Sequence, residues 1–128
     1  MYSSPLQRAR QTAGLAGFAD PSITDLLREC DYGAYEGLTT QQIHQERPGW
    51  ELYRDGSPGG ESPEEIYARA RAFINSACKG EEHGDVIAFA HGHIIRAIAA
   101  AFLDLPLAHA AQLALDTAAA SILREGER

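Results

Sequence analysis

Two histidines in the segment FAHGH, residues 89–93, are the strongest candidates for chemistry in this 128-residue sequence. An imidazole changes its charge near neutral pH and, when protonated, pairs readily with a phosphate oxygen. Gly92 stands between His91 and His93, and a glycine there lets a ligand come close to the backbone. The segment therefore predicts an anion-binding or catalytic site. The simpler interpretation is that the two histidines are only polar residues at an ordinary turn. Their position alone does not decide between the two interpretations.

A zinc site is the other chemistry that a His-x-His pair suggests. The remaining histidines, His44, His83 and His109, show no ligand spacing to that pair. A zinc site needs three or four converging side chains. We therefore predict no metal.

A second candidate is the segment SSPLQRARQTA, residues 3–13, which places Arg8 and Arg10 in the first turns of a predicted helix. A positive charge near a helix N-terminus opposes the helix dipole. A local reason for an arginine there is a bidentate contact with phosphate. Two solvated surface arginines explain the composition equally well.

A third candidate is the segment LRECDYGAYEG, residues 27–37, which is rich in carboxylates and aromatic rings. A buried, protonated carboxylic acid beside a leaving group acts as a general acid. Glu29 and Glu36 are the candidates for that role. A single carboxylate in a loop is, however, ordinarily solvated.

The elements around the two histidines predict an α/β fold. The run VIAFA, residues 86–90, is continuously apolar, as in a parallel strand buried on both faces, and a helical apolar pattern follows over residues 94–105. Open α/β sheets bind ligands at the carboxyl ends of their strands, beside helix N-termini. His91 is thus predicted at a strand-to-helix turn of the kind that binds ligands.

Other local signals predict the rest of the elements. They are a helix over 6–15 opened by Ser4 and Pro5, a short strand or helical turn over 23–27, a helix capped by Thr39 or Thr40 that stops before Pro48, a helix opened by Ser62, Pro63 and a capping-box glutamate that ends at Gly80, a short helix over 107–113, and a weak strand over 118–123.

Length and composition indicate one globular domain over residues 1–128, with 45% hydrophobic and 23% charged residues. The net charge of −7 argues against nucleic acid or an anionic membrane as partner. No apolar run is long enough to span a bilayer. Cys30 and Cys78 fit no metal or redox spacing, which favours reduced thiols in a cytoplasmic protein and leaves a disulfide as the open alternative.

Taken together and in order, four motifs resemble those of the histidine phosphatase (phosphoglycerate mutase-like) superfamily. They are SSPLxRAxxTA, LRExxYGxxEG, GES and AHGHxxR, and the match runs from Tyr2 to about Leu123. The form YGAYEG, with AHGH and Arg96, is similar to the branch that includes fungal sedoheptulose-bisphosphatase-like enzymes and many bacterial phosphatases.

The resemblance implies a three-layer α/β/α sandwich with a mainly parallel sheet, and chemistry without cofactor or metal. A family histidine in an Arg-His-Gly motif takes up the phosphoryl group, and water then releases it. By the same resemblance Arg8 clamps the phosphoryl group and His91 is the second histidine of the phosphate pocket. Glu29, rather than Glu36, matches the acid that protonates the leaving oxygen, and His93 matches a substrate contact.

One departure from the family pattern bears on activity, because the sequence contains no Arg-His-Gly triplet. In the family that motif lies on the first strand, upstream of the Ser-Ser-Pro motif, and hence before Met1. The resemblance therefore implies an incomplete domain that lacks its first strand and is inactive by itself. Exposed sheet edges would then favour self-association.

The expected function of the complete domain is hydrolysis of a phosphomonoester on a sugar or similar small metabolite, with substrate choice set by segments such as residues 41–63. A phosphoglycerate mutase is the less favoured activity. Two alternatives stay open. One is a catalytically dead relative that binds phosphorylated ligands or proteins through Arg8, Glu29 and His91, and the other is a gene fragment or start-site error.

Overall fold

The computed structural model describes residues 1–77 and 85–124. Within them lie three strands, five α-helices and three turns of 3-10 helix. They are β1 (Tyr2–Ser3), α1 (Gln7–Leu15), β2 (Ser22–Ile23), 3-10 turns at Asp25–Leu27 and Gly33–Tyr35, α2 (Thr40–Glu46), α3 (Leu52–Asp55), α4 (Pro63–Ala77), β3 (Ala88–Phe89), α5 (Gly92–Phe102) and a 3-10 turn at Leu107–Gln112. None of the described helices is long and apolar enough to cross a membrane.

The three strands form a parallel sheet in the order β2-β1-β3. The Tyr2 N–H donates to the Ile87 carbonyl at 2.8 Å, and the Ser4 N–H donates to the Phe89 carbonyl at 2.9 Å. The carboxyl ends of β1 and β3 therefore lie side by side. This pairing brings the chain after Ser3 next to the chain after Phe89.

Helices cover both faces of the sheet. Tyr2 packs edge-on against Phe73 of α4, with ring centroids 5.7 Å apart. Phe89 packs against Phe18, which follows α1, with ring centroids 5.8 Å apart. Since Tyr2 pairs with Ala88 and Ser3 with Phe89, and paired residues of parallel strands share a face, these contacts lie on opposite faces. The predicted α/β/α arrangement with a parallel sheet is confirmed.

The core lies mainly between α4 and α5, where the apolar side chains are small or branched. Ile66 and Ala70 of α4, and Ile94 and Ala97 of α5, are all 0% exposed. Alanines on the facing surfaces let the two helix axes approach closely. Because α5 is anchored in this way, its first turn is a rigid base for the histidine segment.

The capping signals of the sequence are confirmed at two helices. At α4 the Ser62 hydroxyl accepts from the Glu65 N–H at 3.1 Å, and the Glu65 carboxylate accepts from the Ser62 N–H at 3.3 Å. At α2 the cap is Thr39, whose side chain forms a capping box with Gln42. Each box satisfies backbone donors that the first turn of a helix leaves free.

The predicted cap of the first helix is wrong in detail. Helix α1 begins at Gln7, and its N-cap, Leu6, makes no side-chain cap bond. Ser4 instead lies directly after β1, fully buried. Its hydroxyl accepts from the Leu6 N–H at 3.2 Å and remains available to a neighbouring side chain.

Two strand predictions are also wrong. The run 86–90 is not buried on both faces, since Val86 is 40% and Ile87 is 37% exposed. Only Ala88–Phe89 forms a strand, at an edge where β1 is its one partner among the described strands. Residues 118–123 form no strand, and Ile122 is 84% exposed. The run 86–90 has a described strand on one side only, and residues 118–123 pair with no described strand.

Three sequence features lie outside the described residues: Cys78, Gly80 and His83. The helix end predicted at Gly80 thus stays a prediction. Cys30 is a buried free thiol. Burial raises its pKa above the ordinary range, so the thiol stays protonated and packs as a small apolar group.

Candidate active site

Three side chains meet at the carboxyl ends of β1 and β3. Ser4 comes directly after β1, and His91 is the N-cap residue of α5. Arg8 lies in the first turn of α1 and reaches across to His91. Ser4 is 0% and His91 is 6% exposed. A cation, an imidazole and a hydroxyl therefore share one edge of the sheet.

Hydrogen bonds fix the orientation and protonation of the His91 ring. The Arg8 Nε–H donates to His91 Nδ1 at 3.2 Å, so Nδ1 carries no proton. His91 Nε2 lies 2.9 Å from the Ser4 hydroxyl oxygen and must hold the proton of the neutral ring, which it donates to that oxygen. The ring is thus a neutral imidazole held between Ser4 and Arg8.

The electrostatic surroundings of His91 agree with this neutral form. Burial, and then the positive charge of Arg8, lower the pKa of His91 below its ordinary value, against an opposing effect of Glu29. An anion that bound between Arg8 and His91 would offset both causes. Such a ligand would therefore raise the pKa of His91 and draw a proton onto its ring.

Glu29 is held at the N-terminus of α5. Its Oε1 accepts from the N–H groups of Ile94 and Cys30, both at 3.0 Å, and its Oε2 accepts from the His93 N–H at 3.3 Å. Free N–H groups and the helix dipole favour a negative group at this position. The carboxylate therefore takes the place that the oxygens of an anionic ligand could take.

Two tyrosines hold His93 in place. The Tyr32 hydroxyl bonds to His93 Nδ1, and the Tyr53 hydroxyl donates to the His93 carbonyl at 2.9 Å. Burial raises the pKa of both tyrosines above the ordinary range. Because Tyr32 stays protonated, it is the donor, and His93 Nδ1 is the acceptor. Burial also lowers the pKa of His93.

A cavity of about 470 Å³ opens beside His93. Aromatic rings form much of its wall, and Arg96 is the arginine that lines it. The aromatic members are Tyr32, Tyr35, Trp50 and Tyr53, and the acidic members are Glu36 and Glu51. The cavity has the size of a pocket for a small molecule.

The structure brings most of the predicted site residues together. Arg8 contacts His91, and Glu29 contacts the backbone of His93. Arg10 is exposed on α1, and its side chain makes no hydrogen bond or ion pair with the described residues. Glu36 is a member of the cavity wall. The assigned roles remain predictions.

Sequence reasoning placed Ser4, Tyr32 and Arg96 within motifs without giving them a role in the site, and it did not single out Tyr53. One signal was present for Arg96, which follows His93 by three residues and so lies on the same face of α5. Tyr32 stands in the motif LRExxYGxxEG, whereas Tyr53 carries no local signal. Among the described residues, no group of three or more His, Cys, Asp or Glu side chains could hold a metal ion.

Together these features define an α/β protein with a basic, histidine-containing site at the carboxyl ends of parallel strands. The sequence profile of the histidine phosphatase superfamily (branch 1) matches residues 1–128. The chain belongs to this superfamily.

Two curated proteins and one solved structure illustrate the similarity. The chain is 40% identical to an acid phosphatase of Mycobacterium tuberculosis over 119 residues, which cover 93% of this chain and 59% of that protein. It is 36% identical to sedoheptulose 1,7-bisphosphatase of Saccharomyces cerevisiae over 130 residues, which cover 82% of this chain and 48% of that protein. A solved structure of an open reading frame from M. tuberculosis matches with a TM-score of 0.88 at 40% identity, covering 91% of this chain and 61% of the other. The chain thus spans about half to three fifths of these relatives.

Proposed function

We propose that these residues carry the phosphate clamp and the general acid of a phosphatase that hydrolyses a phosphomonoester of a sugar or similar small metabolite. The observation that carries the proposal is the contact of Arg8 with His91 at the carboxyl ends of β1 and β3. The names of the relatives, an acid phosphatase and a sedoheptulose 1,7-bisphosphatase, support the same chemistry. Location in the cytoplasm stays a prediction.

Arg8 and His91 would act on the phosphoryl group. The planar guanidinium of Arg8 presents a fork of N–H donors that matches two phosphate oxygens. A phosphate beside it would favour protonation of His91, which then becomes a second cationic donor. Both groups would stabilise the charge that builds on the phosphoryl oxygens in the transition state.

Glu29 would serve as the general acid. It lies one residue before the buried Cys30 and against the first turn of α5, close to where the ester oxygen would leave. To donate a proton, its carboxyl group must give up the N–H bonds that it now accepts. A phosphate oxygen that takes over those N–H groups would release Glu29 for this role.

The proposed route has two steps. A histidine nitrogen forms a bond to phosphorus while the ester P–O bond breaks, and Glu29 gives its proton to the leaving oxygen. Water then attacks phosphorus and gives a proton to the Glu29 carboxylate, the N–P bond breaks, and inorganic phosphate leaves. Residues 1–128 contain no Arg-His-Gly triplet, so this proposal takes the nucleophilic histidine from outside them.

The missing triplet also favours a second candidate function, in which Arg8, Glu29 and His91 bind a phosphorylated ligand without turnover. The two functions differ in whether a nucleophile is joined to this site. A longer polypeptide that includes these residues and an upstream Arg-His-Gly triplet would hydrolyse p-nitrophenyl phosphate if the phosphatase proposal is right. Binding without hydrolysis by that polypeptide would favour the second function.

Replacing Arg8 by methionine is expected to weaken binding of inorganic phosphate to the 128-residue chain. Hydrogen bonds to charged groups contribute about 1.5–3 kcal/mol, which corresponds to a loss of about tenfold to a hundredfold in affinity. Isothermal titration calorimetry measures this loss. Arg10→Met is the matched control, since Arg10 lies on the same helix and is exposed, and its affinity should stay within twofold.

Equal losses of phosphate affinity in Arg8→Met and Arg10→Met would contradict a specific phosphate contact at Arg8. A second arm measures hydrolysis of p-nitrophenyl phosphate by the 128-residue chain, which should not exceed the rate in buffer. Turnover well above that rate would show that the nucleophile lies within these residues.

Sulfate binding is expected to strengthen as pH falls from 8 to 5.5. The pKa of His91 is depressed in the free protein, and a bound dianion raises it, so binding takes up a proton. By linkage, affinity then rises as pH falls through the window between the two pKa values, about tenfold for each unit that separates them. Sulfate remains a dianion throughout this range, so the effect reports on the protein.

Two variants assign this pH dependence to one ring. His91→Gln should bind sulfate with nearly the same affinity at both pH values, while His109→Gln, at an exposed position, should keep the wild-type slope. Calorimetry at pH 5.5 and pH 8 measures the ratio of the two sulfate affinities. A slope that survives in His91→Gln would place the proton uptake elsewhere.

A further inference from the structure

We propose that Ser4 is a positioning residue of the phosphate site, whose hydroxyl oxygen holds the Nε2–H of His91 both before and after an anion binds. The ring would then gain its second proton at Nδ1, the nitrogen that faces Arg8. This inference rests on the proposed function, because it takes the bound anion to be the phosphoryl group. It goes further by assigning the choice of ring nitrogen to a residue that need not touch the substrate.

Ser4 is fixed in place by the sheet. Its N–H donates to the Phe89 carbonyl at 2.9 Å, two residues before His91, and the residue is 0% exposed. Its hydroxyl oxygen accepts from the Leu6 N–H at 3.2 Å. The oxygen therefore has a set position beside the histidine ring and no access to water.

The two nitrogens of the His91 ring have partners of different kinds. Nε2 lies 2.9 Å from the Ser4 hydroxyl oxygen, and Nδ1 accepts from the Arg8 Nε–H at 3.2 Å. A guanidinium nitrogen is always a donor, so the neutral ring carries its proton on Nε2. Arg8 has a long side chain that can turn towards an anion, whereas Ser4 is held beside Nε2.

An anion between Arg8 and His91 would therefore change only the Nδ1 side of the ring. A protonated ring donates from both nitrogens. Its Nδ1–H would face the Arg8 Nε–H, unless a ligand oxygen lay between them and accepted from both. The Nε2–H keeps the Ser4 oxygen as its acceptor. Since an acceptor stabilises a charged donor more than a neutral one, Ser4 favours the cationic ring.

The charged groups that face His91 in the described chain are Arg8 on α1 and Glu29 at the start of α5. Burial and Arg8 lower the pKa of His91, and Glu29 opposes them. A buried Nε2–H without an acceptor would disfavour the cationic ring further. In Ser4→Ala the anion-bound ring should therefore stay neutral, with its one proton on Nδ1.

Sulfate titrations at pH 5.5 and pH 8 test this assignment. The wild type should bind more tightly at pH 5.5, by about tenfold for each unit between the free and bound pKa values of His91. Ser4→Ala should bind at pH 8 within about threefold of the wild type, and its ratio between the two pH values should fall below about threefold. General damage to the site would instead lower both affinities and keep the ratio.

Ser3→Ala is the matched control, because Ser3 is the neighbouring serine and is also 0% exposed. Its hydroxyl donates to the Ser4 carbonyl at 2.9 Å, and among the described residues it makes no bond to His91. Ser3→Ala should keep the wild-type ratio of sulfate affinities. Circular dichroism checks that both variants are folded.

Nitrogen NMR of the isotope-labelled chain observes the ring directly, because the shift of an imidazole nitrogen shows whether it carries a proton. The spectrum of His91→Gln assigns the signals. In the free wild type at pH 8, His91 should be protonated on Nε2 alone. With sulfate bound at pH 5.5, both nitrogens should carry protons, whereas Ser4→Ala under the same conditions should be protonated on Nδ1 alone.

A wild-type ratio of sulfate affinities in Ser4→Ala would overturn the inference, and so would a loss of the ratio in Ser3→Ala as large as that in Ser4→Ala. An unprotonated Nε2 in the free or sulfate-bound wild type would also overturn it, without any variant. The proposed function fails separately, if Arg8→Met binds inorganic phosphate as tightly as the wild type. Phosphate binding that depends on Arg8, with an unchanged ratio in Ser4→Ala, would leave the phosphatase proposal standing without this role for Ser4.

Discussion

Replacing Arg69 by methionine is expected to lower the free energy of unfolding by about 3–5 kcal/mol, the usual cost of removing one partner of a buried ion pair. Arg69, on α4, bonds to both carboxylate oxygens of Glu61, at 2.8 and 3.0 Å. The two side chains are only 16% and 17% exposed. Arg69 also donates to the carbonyls of Leu26 and Arg28, at 3.0 and 2.7 Å.

Removing the Arg69 side chain should also disturb the candidate active site, because its partners hold the loop that carries Glu29. Glu61 accepts from the Asp31 N–H at 2.8 Å through its side chain, and its own N–H donates to the Asp31 carbonyl at 2.9 Å. Arg69 and Glu61 thus bind the loop on both sides of Glu29. Without Arg69, the buried charge of Glu61 would keep only the Asp31 N–H as a donor, and the carbonyls of Leu26 and Arg28 would lose the Arg69 guanidinium.

Urea denaturation of the wild type and of Arg69→Met measures the change. Arg71→Met is the control on the same helix: Arg71 contacts Asp104 at 3.6 Å, with side chains that are 50% and 85% exposed. An exposed pair of this kind contributes less than about 1 kcal/mol. If both variants lost the same stability, the buried network would not be the cause of the Arg69 effect.

The parts of the fold that local sequence signals specify were predictable. Ser62 and Glu65 form the capping box because their spacing suits the first turn of any helix. His91 lies between β3 and α5 because an apolar run and a helical pattern meet there. In each case the deciding interactions lie within a few residues along the chain, so a single sequence contains the information.

The contacts that build the site depend on strand order, which local patterns do not contain. Arg8 and His91 are 83 positions apart, and they meet because β1 pairs directly with β3. Ser4 was predicted as a helix cap, since a serine before a proline suits that role equally well. Only the position of β3 beside β1 shows that its hydroxyl also bonds to His91.

The exposure of the run 86–90 was unpredictable for a related reason. A continuous apolar pattern indicates a strand that can be buried on both faces, but burial also requires neighbours on each side. Val86 and Ile87 remain over a third exposed because β3 lies at the edge of the described sheet. The expected self-association through such an edge stays a prediction.

Substituting Gly33 by alanine is expected to destabilise the chain by about 2–5 kcal/mol, the combined cost of left-handed backbone and overpacking. Gly33 has a φ of +51°, and a Cβ there would lie 2.3 Å from the Pro58 carbonyl oxygen and 2.4 Å from the Gly60 nitrogen. Backbone atoms cannot rotate away as a side chain can. The loop before α2 and the loop before α4 would have to separate.

Substituting Gly60 by alanine tests the same close approach of the two loops from the other side. A Cβ there would lie 2.2 Å from the Asp31 carbonyl oxygen, the acceptor of the Glu61 N–H. Since Gly60 does not have a positive φ, its expected loss of about 1–3 kcal/mol comes from overpacking alone. Both substitutions should displace the segment between Glu29 and Tyr32, and so weaken phosphate binding as well.

Gly59 separates the two causes, because its φ is +73° but a Cβ there would meet nothing within 4 Å. Gly59→Ala should therefore cost only the left-handed backbone strain, about 1–2 kcal/mol. Gly14→Ala, in open space on α1, should stabilise the chain by about 0.5–1 kcal/mol. Urea midpoints of the four variants give the comparison. If Gly33→Ala and Gly59→Ala lost equal stability, the two loops would have room to separate, and the close crossing would not be what holds the Glu29 segment against α5.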